Sequence, residues 1–137
     1  MTQKTQKQQV TELLKAIEIG AAEPVGYINA ENYKQHNLAI ADGLAGFGAT
    51  LQALPAGSAH VNTVRVFQDG DYVFAHTDYN FFGDKIGFDI FRFESGVHSS
   101  FYDLFRVENG KIAEHWDTIE PIASKETWKN QNGKFNF

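Results

Sequence analysis

The strongest constraint on the fold is a pair of hairpin turns in the second half of the chain, Asp69-Gly70 and Asn109-Gly110. Each pair lies between segments that are rich in β-branched residues or that alternate between apolar and polar residues. An Asp-Gly or Asn-Gly pair in this setting is typical of a tight turn between antiparallel strands. The sequence therefore predicts an antiparallel sheet with strands over residues 60–68, 72–80, 86–94, 100–108 and 111–119.

The first third of the chain has helical periodicity instead. Apolar residues at positions 10, 13, 14 and 17 predict an amphipathic helix that ends near Gly20. Pro24 is suited to the first turn of a short second helix, which would reach about residue 29. Asp42 is suited to cap a third helix, which Pro55 would end.

Helices followed by a run of strands indicate an α+β fold, in which the helices pack on one face of a strongly curved sheet. A chain of 137 residues fits one such domain, over residues 1–137. A curved sheet closed by helices forms a cone with an internal pocket. The aromatic content of 14% is suited to the lining of that pocket.

Composition excludes several classes of function. The formal net charge of -5, without a basic run, argues against a nucleic-acid partner. The chain has no cysteine, so it has neither disulfides nor thiolate ligands. No stretch resembles a secretory signal or a membrane span, and we expect a cytoplasmic protein with no membrane partner. The usual histidine spacings of metal sites are lacking, so we predict neither a metal nor another cofactor.

One local repeat bears on the site. The residues at 89–96 recur, with small changes, at 103–110, and each copy begins Asp-hydrophobic-Phe-Arg. Two copies are too few for a repeat architecture; rather than two neighbouring strands with similar ends, we favour a local duplication that adds a strand or lengthens a hairpin. The repeat leaves open whether Asp89 or Asp103 faces the pocket.

Several motifs occur together in a characteristic order: YKQHN at 33–37, DG at 42–43 with GF at 46–47, QDGDYVFAH at 68–76, FDIFR at 88–92, GKIAEHWD at 110–117 and NQNGKF at 130–135. This order resembles the SnoaL-like polyketide cyclase family of the NTF2-like superfamily. The resemblance implies an NTF2-like cone, which commonly forms a homodimer through its sheet. It also implies an aldol-type cyclase, isomerase or lyase that transfers protons without a metal or cofactor.

Strand parity indicates which polar groups can meet. His115 and Asp117 share one face of their predicted strand, and Trp116 lies on the other. Abstraction of a proton next to a carbonyl needs a base and a donor that stabilises the enolate oxygen. A carboxylate beside a histidine in an apolar cavity can supply both functions, because burial and the neighbour shift their pKa values towards neutrality.

The register at the second turn decides which residues pair. A three-residue loop would place Asp103 opposite His115 and Arg106 near Glu114, whereas a two-residue loop would place Asp103 opposite Trp116. We favour the first register because it pairs both sets of charges.

The leading hypothesis is a cofactor-free enzyme acting on a small, mostly apolar carbonyl compound. Asp103, Asp89 or His115 would move the proton, and His36 or His76 would polarise the oxygen. A protein that only binds a hydrophobic ligand, or a dimerisation module of the same fold, is the alternative. The candidate catalytic residues are His115, Asp103, Asp89, His36 and Asp117, and the candidate substrate-binding residues are Tyr33, His76, Trp116, Phe105 and Phe74.

Overall fold

The computed structural model describes residues 3–38, 40–54, 57–81 and 98–135. Two α-helices accompany a five-stranded sheet, which confirms the predicted α+β class. The strand predicted over 86–94 lies outside the described residues. In chain order the elements are α1 (Gln6–Ile19), a 3₁₀ segment (Glu23–Tyr27), β1 (Lys34–Gln35), α2 (Gly43–Ala53), β2 (Ala59–Asp69), β3 (Tyr72–Phe81), β4 (His98–Glu108), β5 (Lys111–Pro121) and a second 3₁₀ segment (Lys125–Thr127).

The sheet has the strand order β1-β5-β4-β3-β2. The four long strands form an antiparallel meander, as the hairpin turns predict. The short edge strand β1 runs parallel to β5, so the sheet is mixed rather than wholly antiparallel. In the second turn Asn109 and Gly110 both have positive φ, 51° and 74°, which is the two-residue hairpin geometry.

The register between β4 and β5 differs from both predicted alternatives. Asp103 lies opposite Asp117, and neither His115 nor Trp116 is its direct partner. His115 is instead the diagonal neighbour of Asp103 on the same face of the sheet, because residues two apart along a strand point to the same side.

A β-bulge in β5 produces this register. The two-residue turn pairs Val107 with Ile112, but the next pair is Arg106 with Glu114, so Ala113 is an extra residue. The bulge shifts the pairing of the rest of β5 by one position. The predicted approach of Arg106 to Glu114 is confirmed.

Helix α1 covers one side of the sheet, which we call the inner face. Its first turn is closed by a capping box in which the Thr5 hydroxyl accepts the Gln8 backbone N–H. It ends at Gly20, which has a φ of 67°. The predicted apolar stripe at positions 10, 13 and 14 is buried in the core, together with inner-face residues such as Val73 and Phe105. Neither helix in the described ranges is long and apolar enough to cross a lipid bilayer.

Helix α2 begins after Asp42 as predicted, despite three glycines near its start. Gly43 has a φ of 74°, which other residues rarely adopt. A Cβ on Gly46 would overlap the carbonyl oxygen of Ala41, whereas a Cβ on Gly48 would meet nothing within 4 Å. Gly46 therefore lets the chain pass closely over the helix, while Gly48 has no such function.

This difference can be tested by two matched substitutions. Gly46→Ala should lower the free energy of unfolding by about 1–3 kcal/mol, because the added methyl group overlaps backbone. Gly48→Ala should raise it by up to about 1 kcal/mol, since alanine is the better helix former. Urea denaturation of both variants measures the difference, and equal effects at the two positions would contradict the assigned function of Gly46.

Candidate active site

Three acidic or basic side chains meet on the inner face, at the centre of the β4–β5 hairpin. Asp103 Oδ1 lies 2.9 Å from His115 Nε2, and Asp117 Oδ2 lies 4.0 Å from the same nitrogen. Asp103 is 2% exposed and His115 is 7% exposed. All three are among the predicted catalytic residues, and the structure brings them together.

The Asp103 carboxylate is only half satisfied by its neighbours. Oδ1 contacts His115, whereas Oδ2 is buried without a hydrogen-bond partner among the described residues. Burial raises the pKa of Asp103, and the hydrogen bond with His115 opposes that rise in part. An under-satisfied buried carboxylate of this kind costs stability and calls for a functional explanation.

Strand β1 and the segment directly after it add two amides that were not predicted from the sequence. Gln35 Oε1 lies 2.9 Å from His115 Nδ1, and Asn37 Nδ2 donates to Asp117 Oδ2 at 2.8 Å. The parallel pairing of Gln35 with His115 places the first of these groups. Alternation along the chain is the signal that points to them, because residues 35 and 37 face the same side as Tyr33 when the segment is extended.

Two phenols complete the polar set. Gln35 Nε2 donates to the Tyr33 hydroxyl at 3.0 Å, and Tyr79 borders the same cavity. Burial, together with the charges of Asp117 and Asp103, raises the pKa of Tyr33, and it raises the pKa of Tyr79 as well. Both phenols are therefore neutral and keep a proton that they can donate.

These groups border a cavity of about 60 Å³ between the inner face and the two helices. Most of its wall is apolar, so the polar groups occupy one end of a hydrophobic space. Tyr33 and Phe105, two of the predicted substrate-binding residues, are in this wall. The apolar wall includes Leu13, Leu14 and Ile17 from α1, Phe47 and Leu51 from α2, and Phe101 from β4.

His36 and Trp116 are not brought to the cavity. Their rings stack at 4.5 Å on the other side of the sheet, which we call the outer face. The His36 Nε2 atom lies 2.9 Å from Glu114, which also accepts from Arg106 at 2.8 Å. The contacts with His36 and then Arg106 hold the pKa of Glu114 below its usual value. The placement of His36 and Trp116 in the pocket was wrong, because their strand positions alternate with those that face inward.

His76 and Phe74 are on the outer face for the same reason. Inward residues of β3 are the odd-numbered ones, such as Val73 and Tyr79. The His76 ring stacks on Tyr102 at 4.5 Å, and its Nε2 lies 3.0 Å from the Ser100 hydroxyl. Burial lowers the pKa of His76. The predicted contact of these two residues with the pocket was also wrong.

Asp89 lies outside the described residues. The other aspartate of the repeat, Asp103, borders the cavity.

The trio of Asp103, His115 and Asp117 could also hold a metal ion. One ligand atom from each lies within 4.8 Å of the others, and it is the one such group within the described ranges. Two carboxylates and an imidazole would suit a divalent transition metal. The same atoms already form the hydrogen-bonded arrangement described above.

The family model of the SnoaL-like domain matches residues 10–115 of this chain. The chain belongs to the SnoaL-like domain family. No curated protein matches this SnoaL-like chain.

Solved structures show that the fold is NTF2-like. A candidate ketosteroid isomerase from Kribbella flavida is 11% identical, with a TM-score of 0.66 over 96% of this chain and 93% of that one. A candidate polyketide cyclase from Bacillus cereus is 18% identical, with a TM-score of 0.65 over 85% and 79%. An LEH-like epoxide hydrolase from M. tuberculosis is 17% identical, with a TM-score of 0.63 over 83% and 81%.

The buried carboxylate predicts an unusual pH dependence of stability. The folded-state pKa of Asp103 is raised above the value of about 3.9 that it has in an unfolded chain. The stability that protonated Asp103 contributes is therefore complete at pH values below about 3.9. The contribution is lost as the pH rises through the folded-state pKa. The free energy of unfolding of Asp103→Asn should therefore fall less than that of wild type as the pH rises above about 4. Near neutrality it should exceed the wild-type value by about 1 kcal/mol.

Urea denaturation across a pH series measures this effect. Asp69→Asn is the matched control, because Asp69 is the exposed last residue of β2. If the pH dependence of the free energy of unfolding changed equally in both variants, burial of the Asp103 carboxylate would carry no special cost in stability.

Proposed function

We propose that the chain is a cofactor-independent enzyme that moves a proton on a small, mostly apolar carbonyl compound. Its reaction would be of the lyase, isomerase or aldol-type cyclase class. The observation that carries this proposal is the Oδ2 atom of Asp103, which is buried beside an apolar cavity without a hydrogen-bond partner in the described part of the chain, while Oδ1 contacts His115. A carboxylate in such surroundings is a stronger base than one in water.

In the proposed reaction Asp103 Oδ2 takes a proton from the carbon next to the substrate carbonyl. The electrons of the C–H bond move into the carbonyl group, which becomes an enolate. Asp103 Oδ1 keeps its contact with His115, so the ring holds the carboxylate in one orientation. Burial raises the pKa of Asp103 and so brings its basicity closer to that of the carbon acid.

Tyr33 would polarise the substrate oxygen, in place of His36 or His76. Its oxygen accepts from Gln35, and its own proton has no acceptor among the described residues. Because the pKa of Tyr33 is raised, the phenol keeps that proton and can donate a hydrogen bond to the enolate oxygen as it forms. A donor already held in place costs no reorganisation when charge develops.

The proton then returns from Asp103 to the product. In an isomerisation it goes to a different carbon of the enolate. In an aldol-type cyclisation the enolate carbon attacks a second carbonyl of the same molecule, and the resulting alkoxide takes the proton. Neither sequence changes the oxidation state of the substrate, so neither needs a redox cofactor.

The fold supports such chemistry by analogy, because a candidate polyketide cyclase and a candidate ketosteroid isomerase share it. The same cavity also suits a protein that only binds a hydrophobic ligand, since most of its wall is apolar. The convergence of carboxylates, imidazole and phenol at one end favours the enzyme. Cytoplasmic location, lack of a nucleic-acid partner and a single domain stay predictions from sequence.

The proposal predicts that the protein exchanges carbon-bound hydrogen of small apolar ketones and diketones with deuterium from heavy water. Asp103→Asn should slow this exchange by about 10²-fold or more, which is typical for loss of a general base. Tyr33→Phe should slow it by about 10²-fold, because one oxyanion donor is lost. Proton NMR of the substrate panel measures both rates.

His36→Gln is the control, because His36 lies on the outer face and should leave the rate within about twofold of wild type. Dialysis against EDTA should also leave the rate unchanged. Exchange that survives Asp103→Asn would refute the assignment of the base. Tight binding of a panel member without exchange would favour the ligand-binding alternative.

We also propose that the outer face forms a homodimer. Phe67 and Tyr102 are 58% and 37% exposed there, and Phe74 lies between them with ring centroids at 6.4 and 6.0 Å. Tyr72, at 44% exposed, extends the same aromatic surface. A contiguous aromatic surface on a sheet is typical of a protein interface, and a second copy would cover it with matching residues.

Phe67→Glu with Tyr102→Glu should convert the dimer into a monomer, because two desolvated charges would be placed in an apolar interface. Sedimentation equilibrium measures the mass of each form. Ile19→Glu is the control, since Ile19 is 62% exposed at the end of α1, on the helical side of the sheet. A wild-type monomer at high concentration would refute the dimer.

A further inference from the structure

The amide of Gln35 has a single possible orientation, which the backbone determines. Its Oε1 accepts the backbone N–H of Asn37 at 2.9 Å, and its Nε2 lies 3.0 Å from the Tyr33 hydroxyl. The two ends of an amide have nearly the same shape, so only hydrogen-bond partners distinguish them. A backbone N–H can only donate, and the end of the amide that faces Asn37 must therefore be the oxygen.

This orientation fixes a proton on His115. Gln35 Oε1 also lies 2.9 Å from His115 Nδ1, and an amide oxygen can only accept. Nδ1 must therefore carry hydrogen and donate it. The oxygen has two lone pairs, so it can accept from Asn37 and His115 at once.

The other ring nitrogen then has a restricted set of states. With hydrogen on Nδ1, neutral His115 has a lone pair on Nε2, which faces Asp103 Oδ1 at 2.9 Å. Two acceptors cannot form a hydrogen bond without a proton between them. The pair therefore holds one proton, either as imidazolium with carboxylate or as neutral imidazole with carboxylic acid.

We propose that Gln35 is a positioning residue, which holds His115 as the Nδ1–H form so that Nε2 and Asp103 share one mobile proton. As far as catalysis is concerned, this inference rests on the proposed function. In the alternative neutral form, with hydrogen on Nε2, no lone pair would face Asp103, so the ring could not take a proton from Oδ1 when Oδ2 gains one. Gln35 thus acts on the base through His115.

The same amide links the pair to the proposed oxygen donor. Gln35 Nε2 donates to the Tyr33 oxygen, and a hydroxyl that accepts a hydrogen bond becomes a better donor. One side chain therefore orients both the proton acceptor and the proton donor of the proposed reaction. Its own position follows from strand pairing, because Gln35 lies beside His115 in the parallel register of β1 and β5.

The test is long-range ¹H–¹⁵N NMR of the histidine rings, which reports which nitrogen carries hydrogen without any substrate. The resonances of His115 are assigned by their loss in His115→Gln. Wild type should show a protonated Nδ1 wherever the ring is neutral. Gln35→Met, which has no acceptor, should lose that preference, and Gln35→Glu should retain it because a carboxylate still accepts from Nδ1.

Lys34→Met is the matched control, because it alters the exposed side of the same two-residue strand. For the exchange reaction, Gln35→Met should lower kcat about 10-fold to 100-fold with KM little changed, a part of what acid–base catalysis supplies. Gln35→Glu should recover part of that loss, since it keeps the Nδ1–H form but no longer donates to Tyr33.

A wild-type ring with hydrogen on Nε2 would overturn the inference, and that measurement needs no variant to fold. An Nδ1–H form that persists in Gln35→Met would overturn it as well, even if activity fell. An Nδ1–H form that depends on Gln35, in a protein without exchange activity, would support the positioning of the proton and refute the proposed function.

Discussion

One extra residue in β5 decides which side of the sheet carries the polar groups. Without the bulge at Ala113, the two-residue turn would pair Asp103 with Trp116, and His115 would lie on the opposite face from Asp103. Glu114 would then be directed towards the helices, where burial of its charge would be costly. The meeting of two carboxylates and an imidazole at the cavity therefore depends on a local irregularity of the backbone.

The sequence predicts the larger features because they depend on local patterns. The hairpin turns, the apolar stripe of α1 and the start of α2 each depend on residues that are close together in the sequence. The bulge leaves only a faint trace, the adjacent apolar pair Ile112 and Ala113, which plain alternation misses. The parallel pairing of β1 leaves none, since its contact with β5 joins residues 80 positions apart.

The errors in the predicted site have one physical origin. His36, His76 and Trp116 were selected for their chemistry, although alternation along a strand directs them to the outer face. An amide does not titrate, so acid–base chemistry alone does not point to Gln35, yet it touches both His115 and Tyr33. The sheet separates two kinds of surface, with buried carboxylates and an imidazole on one side and exposed aromatic rings on the other.

The link between β1 and α2 has a consequence for how the cavity can change. Gln35 N–H donates to Asp42 Oδ1 at 2.8 Å, so the start of α2 is anchored to the strand that carries the amide. Farther along, α2 contributes Phe47 and Leu51 to the wall, whereas the acid–base groups belong to the sheet. In the proposed enzyme, α2 would therefore contribute to size selection without contributing to the chemistry. Substitutions along α2 would then adapt such an enzyme to larger or smaller ligands, in the laboratory or in evolution, while the acid–base groups stay where they are.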